Sequence, residues 1–261
     1  MTLALGSRGA TVLMLCRSEQ RAEEAVNGLV AQGVARENLE FVSCDLADLS
    51  SVAEAAQVLA ARPRLDALVH NAGMLVHERS RSVDGLELTF AVHVAGPFAL
   101  TRALESRLMT TEGSRVVWVA SGGMYSAKLD PPGLLDPPNP FDGVAAYAQA
   151  KRGQLALSRN FVRRLGPGST SVAMHPGWAD TQGVRTSLPK FHRLTKRFLR
   201  TPEQGADTAA WLAACDFAEL TPAGFYLDRE LKSEHLRLAR TRVAGDVEAR
   251  LWELCESATA G

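Results

Sequence analysis

The chain has 261 residues, 46% of them hydrophobic, and a formal net charge of +0. That length is near the upper end of what one core organises, and with no Gly/Ser-rich linker it reads as a single domain over residues 1–261. Balanced charge gives no electrostatic reason to bind nucleic acid, no apolar run approaches a membrane span, and no secretory signal opens the chain, so a cytoplasmic protein acting on small molecules is expected.

Short aliphatic runs alternate with longer stretches of helical periodicity, which is the pattern of βαβ units around a parallel sheet. The strands expected in chain order are Thr11 to Cys16, Leu39 to Cys44, Leu65 to Asn71, Arg115 to Ala120, Ser171 to His175 and Gly224 to Leu227. Helices are expected near Glu19 to Gln32, Ser51 to Arg62, Gly85 to Met109, Val144 to Leu165, Pro202 to Ala214 and Asp246 to Ser257. The helix at Pro202 has a full start signal, because Thr201 can cap it, proline suits the first helical position and Gln204 completes a capping box. Two segments break the rhythm. Asp130 to Gly143 carries five prolines and reads as an irregular loop, and Gln182 to Arg200 is basic and weakly periodic. Both follow strand ends, where parallel sheets bind ligands, so both are candidate substrate covers.

The cysteines, Cys16, Cys44, Cys215 and Cys255, show no CxxC spacing, which argues against disulfides or structural zinc and for a reducing compartment. The six histidines show no HxxxH or HExxH spacing, so no metal site is expected.

Chemistry concentrates at Tyr147 and Lys151. A phenol titrates near 10 and is a poor acid or base at neutral pH, so it needs a neighbouring cation to transfer protons. Lysine four residues on lies on the same helical face and supplies one. Ser121, ending the apolar run Val-Val-Trp-Val-Ala-Ser, could hydrogen-bond a substrate carbonyl oxygen.

Ser121, Tyr147 and Lys151, with His70-Asn71-Ala72-Gly73 upstream and Pro176-Gly177 downstream, resemble the pattern of the short-chain dehydrogenases/reductases over nearly the whole chain. The resemblance implies a Rossmann-type doubly wound parallel sheet and hydride transfer between a nicotinamide and a carbonyl or alcohol carbon. It makes Tyr147 the acid and base, has Ser121 polarise the substrate oxygen, and has Lys151 lower the tyrosine pKa while holding the nicotinamide ribose. It also places Asp45 against the adenine, Asn71, Ala72 and Gly73 where backbone approaches the cofactor, and Thr181 near the nicotinamide amide. Arg17 ends the second family strand where a ribose-binding carboxylate is usual, and a cation there suits the 2′-phosphate of NADP(H) over NAD(H). Helices near Gly85 to Met109 and Val144 to Leu165 would pair in a homodimer by the family's habit.

The chain departs from this pattern in two places. The family opens with a strand and a glycine-rich turn that cradles the pyrophosphate, and Met1 to Ala10 instead matches the end of the helix after that turn. The sheet is therefore expected to lack its first strand and cradle, both lying upstream of Met1. His93 stands where the family usually has Asn, whose side chain helps hold a relay water beyond the lysine. Two readings follow. One is an oxidoreductase acting on a lipophilic carbonyl or alcohol, flanked by Trp178, Met124, Tyr125, Phe141 and Leu134; the other is a catalytically silent binding or interaction module.

Overall fold

The computed structural model describes residues 1–180, 185, 192–193, 195–236 and 241–260. Its elements follow in the order α1 (Thr2–Gly6), β1 (Val12–Cys16), α2 (Glu19–Val30), β2 (Leu39–Ser43), α3 (Leu49–Ala60) and β3 (Ala67–His70). The chain continues through α4 (Leu88–Phe90), a π-helical turn over Ala91–Ala95, α5 (Gly96–Met109), β4 (Ser114–Val119), α6 (Pro131–Leu135) and α7 (Gly143–Leu165). It ends with β5 (Ser169–Met174), α8 (Pro202–Ala214), β6 (Phe225–Leu227), β7 (Glu230–Leu231) and α9 (Gly245–Thr259).

This is an α/β fold of the Rossmann type. β3, β4, β5 and β6 are parallel neighbours in that order, and β7 closes the edge antiparallel to β6. β1 and β2 form a separate parallel pair with Val12 opposite Leu39. β1 and β3 thus belong to different sheets, and the seam between them falls where the resemblance puts the family's first strand. Burial follows the division. All six residues of β4 and of β5 are buried, whereas the five of β1 are only half-buried.

Helices cover both faces because successive strand residues point to opposite sides. Val116, Trp118 and Ala120 face the larger core with Ala173 and Phe225, joined there by Leu104, Leu155 and Phe161 from α5 and α7. Val117, Val119, Val172 and Met174 face the other way onto Ala209 and Leu212 of α8, with Met1 at the margin. α9 packs over α5 and α7, the two helices on which the resemblance would pair subunits.

Local chemistry sets the helix ends. Ser18 caps α2 by accepting from Arg21 N, Asp48 caps α3, and the capping box at Thr201 and Gln204 forms in both directions. Two expectations need correcting. The stretch Asp130 to Gly143 is not irregular throughout, since Pro131–Leu135 is helical with its prolines in the first turn, where no amide donor is required. The helix expected from Gly85 begins at Leu88 and slips into π register over Ala91–Ala95. Pro97 contributes to that slip, because it has no N–H for the His93 carbonyl four residues before it.

Candidate active site

β4 and α7 bring the predicted trio to the carboxyl end of the sheet. Ser121 follows the buried Ala120, and its hydroxyl accepts from Gly123 N at 3.3 Å to cap a short 3-10 turn over Gly122–Ser126. α7 starts sharply, with Asp142 accepting from Val144 N at 2.9 Å and Ala145 N at 3.1 Å. A Cβ on Gly143 would stand 1.7 Å from Val76 O, so only glycine lets the first turn of α7 press against the segment after β3. On the same helix, Lys151 Nζ comes within 3.7 Å of where a Cβ on Gly73 would stand.

Lys151 is 3% exposed and turned inward. Its ammonium donates to Val119 O at 2.7 Å and to Gln154 Oε1 at 3.2 Å, and burial drags its pKa from 10.5 to about 7. It lies 5.7 Å from the centre of the Tyr147 ring. Burial pushes the Tyr147 phenol up, and the Ser121 hydroxyl works in the opposite sense. A phenol placed this way is held protonated, which is the state of an acid ready to give its proton to a developing alkoxide.

His93, which stands where the family usually has Asn, is a neighbour of both Tyr147 and Lys151. It is fully buried in the π turn, edge-on to Tyr147 with ring centres 5.3 Å apart. Its Nε2 lies 2.8 Å from Met74 O and 3.1 Å from Met74 N, serving one or the other according to tautomer. Burial, then the Lys151 charge, lower its pKa to about 3, so it is neutral at physiological pH. Its Nδ1 has no hydrogen-bond partner among the described residues. Gly73 makes room for this ring, since a Cβ there would meet His93 Cε1 at 2.8 Å and Lys151 Nζ at 3.7 Å. His70, by contrast, is structural: it pairs with Thr101 Oγ1 at 2.7 Å and lies against Trp118 at 4.3 Å.

The other end of the site lies on the smaller sheet. Arg17 follows β1 with its side chain 66% exposed, and its guanidinium is 3.8 Å from Asp45 after β2. The structure therefore brings Arg17 and Asp45 together at one edge. Asn71, Ala72 and Gly73 are exposed at the end of β3, open to a ligand lying along the strand ends. Thr181 lies outside the described residues, as does much of Gln182 to Arg200. For a nicotinamide dinucleotide, the residues fit at the two ends: a free cation and a carboxylate at one, and a phenol, an ammonium and exposed backbone at the other. Among the described residues no glycine-rich turn lies at the seam to receive the pyrophosphate between them.

The apolar residues sort differently from expectation. Met124 and Leu134 are core residues at 0% and 2% exposure, so they cannot wall a substrate site. Tyr125 donates to Ser233 O at 2.8 Å, and Phe141 lies under the Arg79 guanidinium. Trp178 is 49% exposed. Gln154 was not singled out by its sequence context, although it bonds both Lys151 and His93. The signal for it was Pro97, which leaves the His93 carbonyl in need of a donor.

Among the described residues no three His, Cys, Asp or Glu side chains group closely enough to hold a metal, and no helix is long and apolar enough to cross a membrane. The family model for short chain dehydrogenases matches residues 1–190. Human dehydrogenase/reductase SDR family member 12 is 37% identical over 255 residues, covering 97% of this chain and 80% of that protein. Mouse retinol dehydrogenase 14 is 30% identical, covering 95% of this chain and 78% of that protein. A Beutenbergia cavernae protein assigned as an NAD(P)-dependent gluconate 5-dehydrogenase, solved with NADP at low occupancy, superposes with a TM-score of 0.68. It is 25% identical, and the match covers 86% of this chain and 88% of that one. With its parallel sheet, its Ser121, Tyr147 and Lys151 at one strand end, and these matches, the chain belongs to the short-chain dehydrogenases/reductases, a family of NAD(P)-dependent oxidoreductases.

Proposed function

We propose that this chain interconverts a carbonyl and an alcohol on a lipophilic small molecule with NADP(H), using Tyr147 as the proton donor and acceptor. The observation carrying this reading is the placement of a half-buried, protonated phenol between the Ser121 hydroxyl and the Lys151 ammonium at the open end of the sheet. When bound, the nicotinamide supplies or takes the hydride. Ser121 orients the substrate oxygen, and Tyr147 gives that oxygen its proton in reduction or removes it in oxidation. Lys151, in its protonated form, sets a positive charge 5.7 Å from the phenol ring, which would stabilise the phenolate left after proton transfer. The exposed Arg17 guanidinium supports NADP(H) over NAD(H), since a cation attracts the extra phosphate. The exposed Trp178 indole and the similarity to a retinol dehydrogenase support a lipophilic substrate.

One observation favours a second reading, a catalytically silent binding module. β1 and β3 lie in separate sheets, with no glycine-rich turn between them among the described residues. Fluorescence titration with NADPH separates the two. The expected result is micromolar binding, NADPH consumption with members of a carbonyl panel, and a loss of about 10²- to 10⁴-fold in turnover for Tyr147→Phe. Absence of NADPH binding would establish the silent reading instead. Binding with turnover unchanged in Tyr147→Phe would remove Tyr147 from the chemistry.

A further inference from the structure

Behind Lys151 the structure holds a closed polar chain in place of an opening to solvent. Lys151 Nζ donates to Gln154 Oε1 at 3.2 Å, and Gln154 Nε2 donates to the His93 carbonyl at 2.8 Å. Lys151, Gln154 and His93 are 3%, 0% and 0% exposed. The His93 carbonyl needs that donor, because the residue four positions on is Pro97 and has no N–H to offer. The π turn over Ala91–Ala95 aims the carbonyl at α7, where Gln154 lies one turn beyond Lys151.

We propose that Gln154 is a positioning residue for Lys151, its side-chain amide tying the ammonium to the His93 carbonyl. This rests on the reading of Tyr147 and Lys151 as the proton-transferring pair. An amide has one accepting and one donating end, and here each faces its complement. Flipping it would set NH2 against the ammonium and oxygen against the carbonyl, so the two partners fix its orientation and the amide holds the ammonium in place. Its oxygen also favours the charged form of Lys151 against the burial that lowers its pKa to about 7. The other groups facing Lys151 supply no negative charge: His70 from β3 and His93 from the π turn are neutral, each with a pKa of about 3, and Tyr147 is a protonated phenol. Gln154 and the Val119 carbonyl are therefore what hold the ammonium charged.

The test needs neither cofactor nor substrate. The chain has five lysines, few enough to follow one by one by NMR after labelling at Cε. Gln154→Leu removes the acceptor and is expected to lower the Lys151 titration midpoint by about 1 pH unit or more. Gln154→Glu keeps the shape but adds a carboxylate, and is expected to raise the midpoint by at least as much. If Gln154→Leu fails to fold, Gln154→Met, which keeps an unbranched side chain of similar length without the accepting oxygen, carries the test. A folded Gln154→Leu or Gln154→Met in which Lys151 titrates as in the wild type overturns the proposal, since a residue that only fills space would leave that midpoint in place. An absence of NADPH turnover with the Lys151 midpoint moved as expected would instead count against the oxidoreductase reading alone.

Discussion

On the proposed reading, Arg17 is the residue on which cofactor choice turns. Its side chain is 66% exposed and, among the described residues, its guanidinium reaches Asp45, 3.8 Å away, a distance at which a solvated pair contributes little. The charge therefore remains free to meet a phosphate. Arg17→Glu should replace attraction with repulsion at that end of the site and weaken NADPH binding by about tenfold or more, while leaving NADH within about threefold. Parallel titrations with the two nucleotides check this. Equal weakening of both would mean that Arg17 supports the end of β1 and does not select the 2′-phosphate. That Ser121, Tyr147 and Lys151 lie near one another was legible, because the i, i+4 spacing on one helix and the end of an apolar strand set their places. The inward turn of Lys151 was not, since a hydrogen bond to Val119 O depends on how closely α7 packs on β4, and no local pattern records that distance.

At the scale of elements, what could be read was whatever local chemistry decides. The capping box at Thr201 and the βαβ alternation both appear in the structure because a side chain within a few residues, or a period of two against 3.6, fixes them. The helical turn at Pro131–Leu135 departs from the expected loop because its prolines stand in the first turn, and the π turn at Ala91–Ala95 departs from the continuous helix expected over Gly85 to Met109 because Pro97 withholds an amide donor. The role of α9 was also out of reach, because it depends on contacts far apart in sequence. Trp252 of α9 packs on Phe98 at 4.8 Å and Phe161 at 5.2 Å, with the Arg102 and Arg164 guanidinium groups 5.5 and 4.8 Å from its ring. Glu105 holds both arginines, at 2.6 and 2.9 Å. Trp252→Ala should therefore lower stability by about 3 kcal/mol, read as a fall in the urea midpoint with the slope unchanged. A loss under about 1 kcal/mol would mean that α9 rests on α5 and α7 without contributing much to the core.

Across the whole molecule, the site imposes a pH dependence on folding. Burial lowers the pKa of His70 and of His93 from 6.5 to about 3, and that of Lys151 from 10.5 to about 7. Between the two values for each histidine, the unfolded chain binds a proton that the folded chain refuses. Stability from these histidines is thus complete above pH 6.5 and is lost as pH falls toward 3, with a slope of at most about 1.4 kcal/mol per pH unit for each. Lys151 acts with the same sign in a higher window: the unfolded chain holds the extra proton from pH 7 to 10.5, so stability rises across it. The exposed carboxylates held low by their partners, such as Asp48, Asp207 and Asp228, act only near and below their ordinary 3.8. Between pH 4.5 and 6.5 the slope therefore belongs mainly to buried imidazoles, with a contribution from His175, whose pKa burial also lowers. His93→Asn removes one of these groups and keeps an amide able to bond Met74. Urea midpoints measured at half-unit steps should give a shallower slope for this variant, by up to about 1.4 kcal/mol per pH unit, and the same dependence as the wild type above pH 7. If the acid slope is unchanged, His93 takes up its proton while the chain is folded, and the imidazole beside Tyr147 and Lys151 is a charge at low pH and not the neutral wall described above.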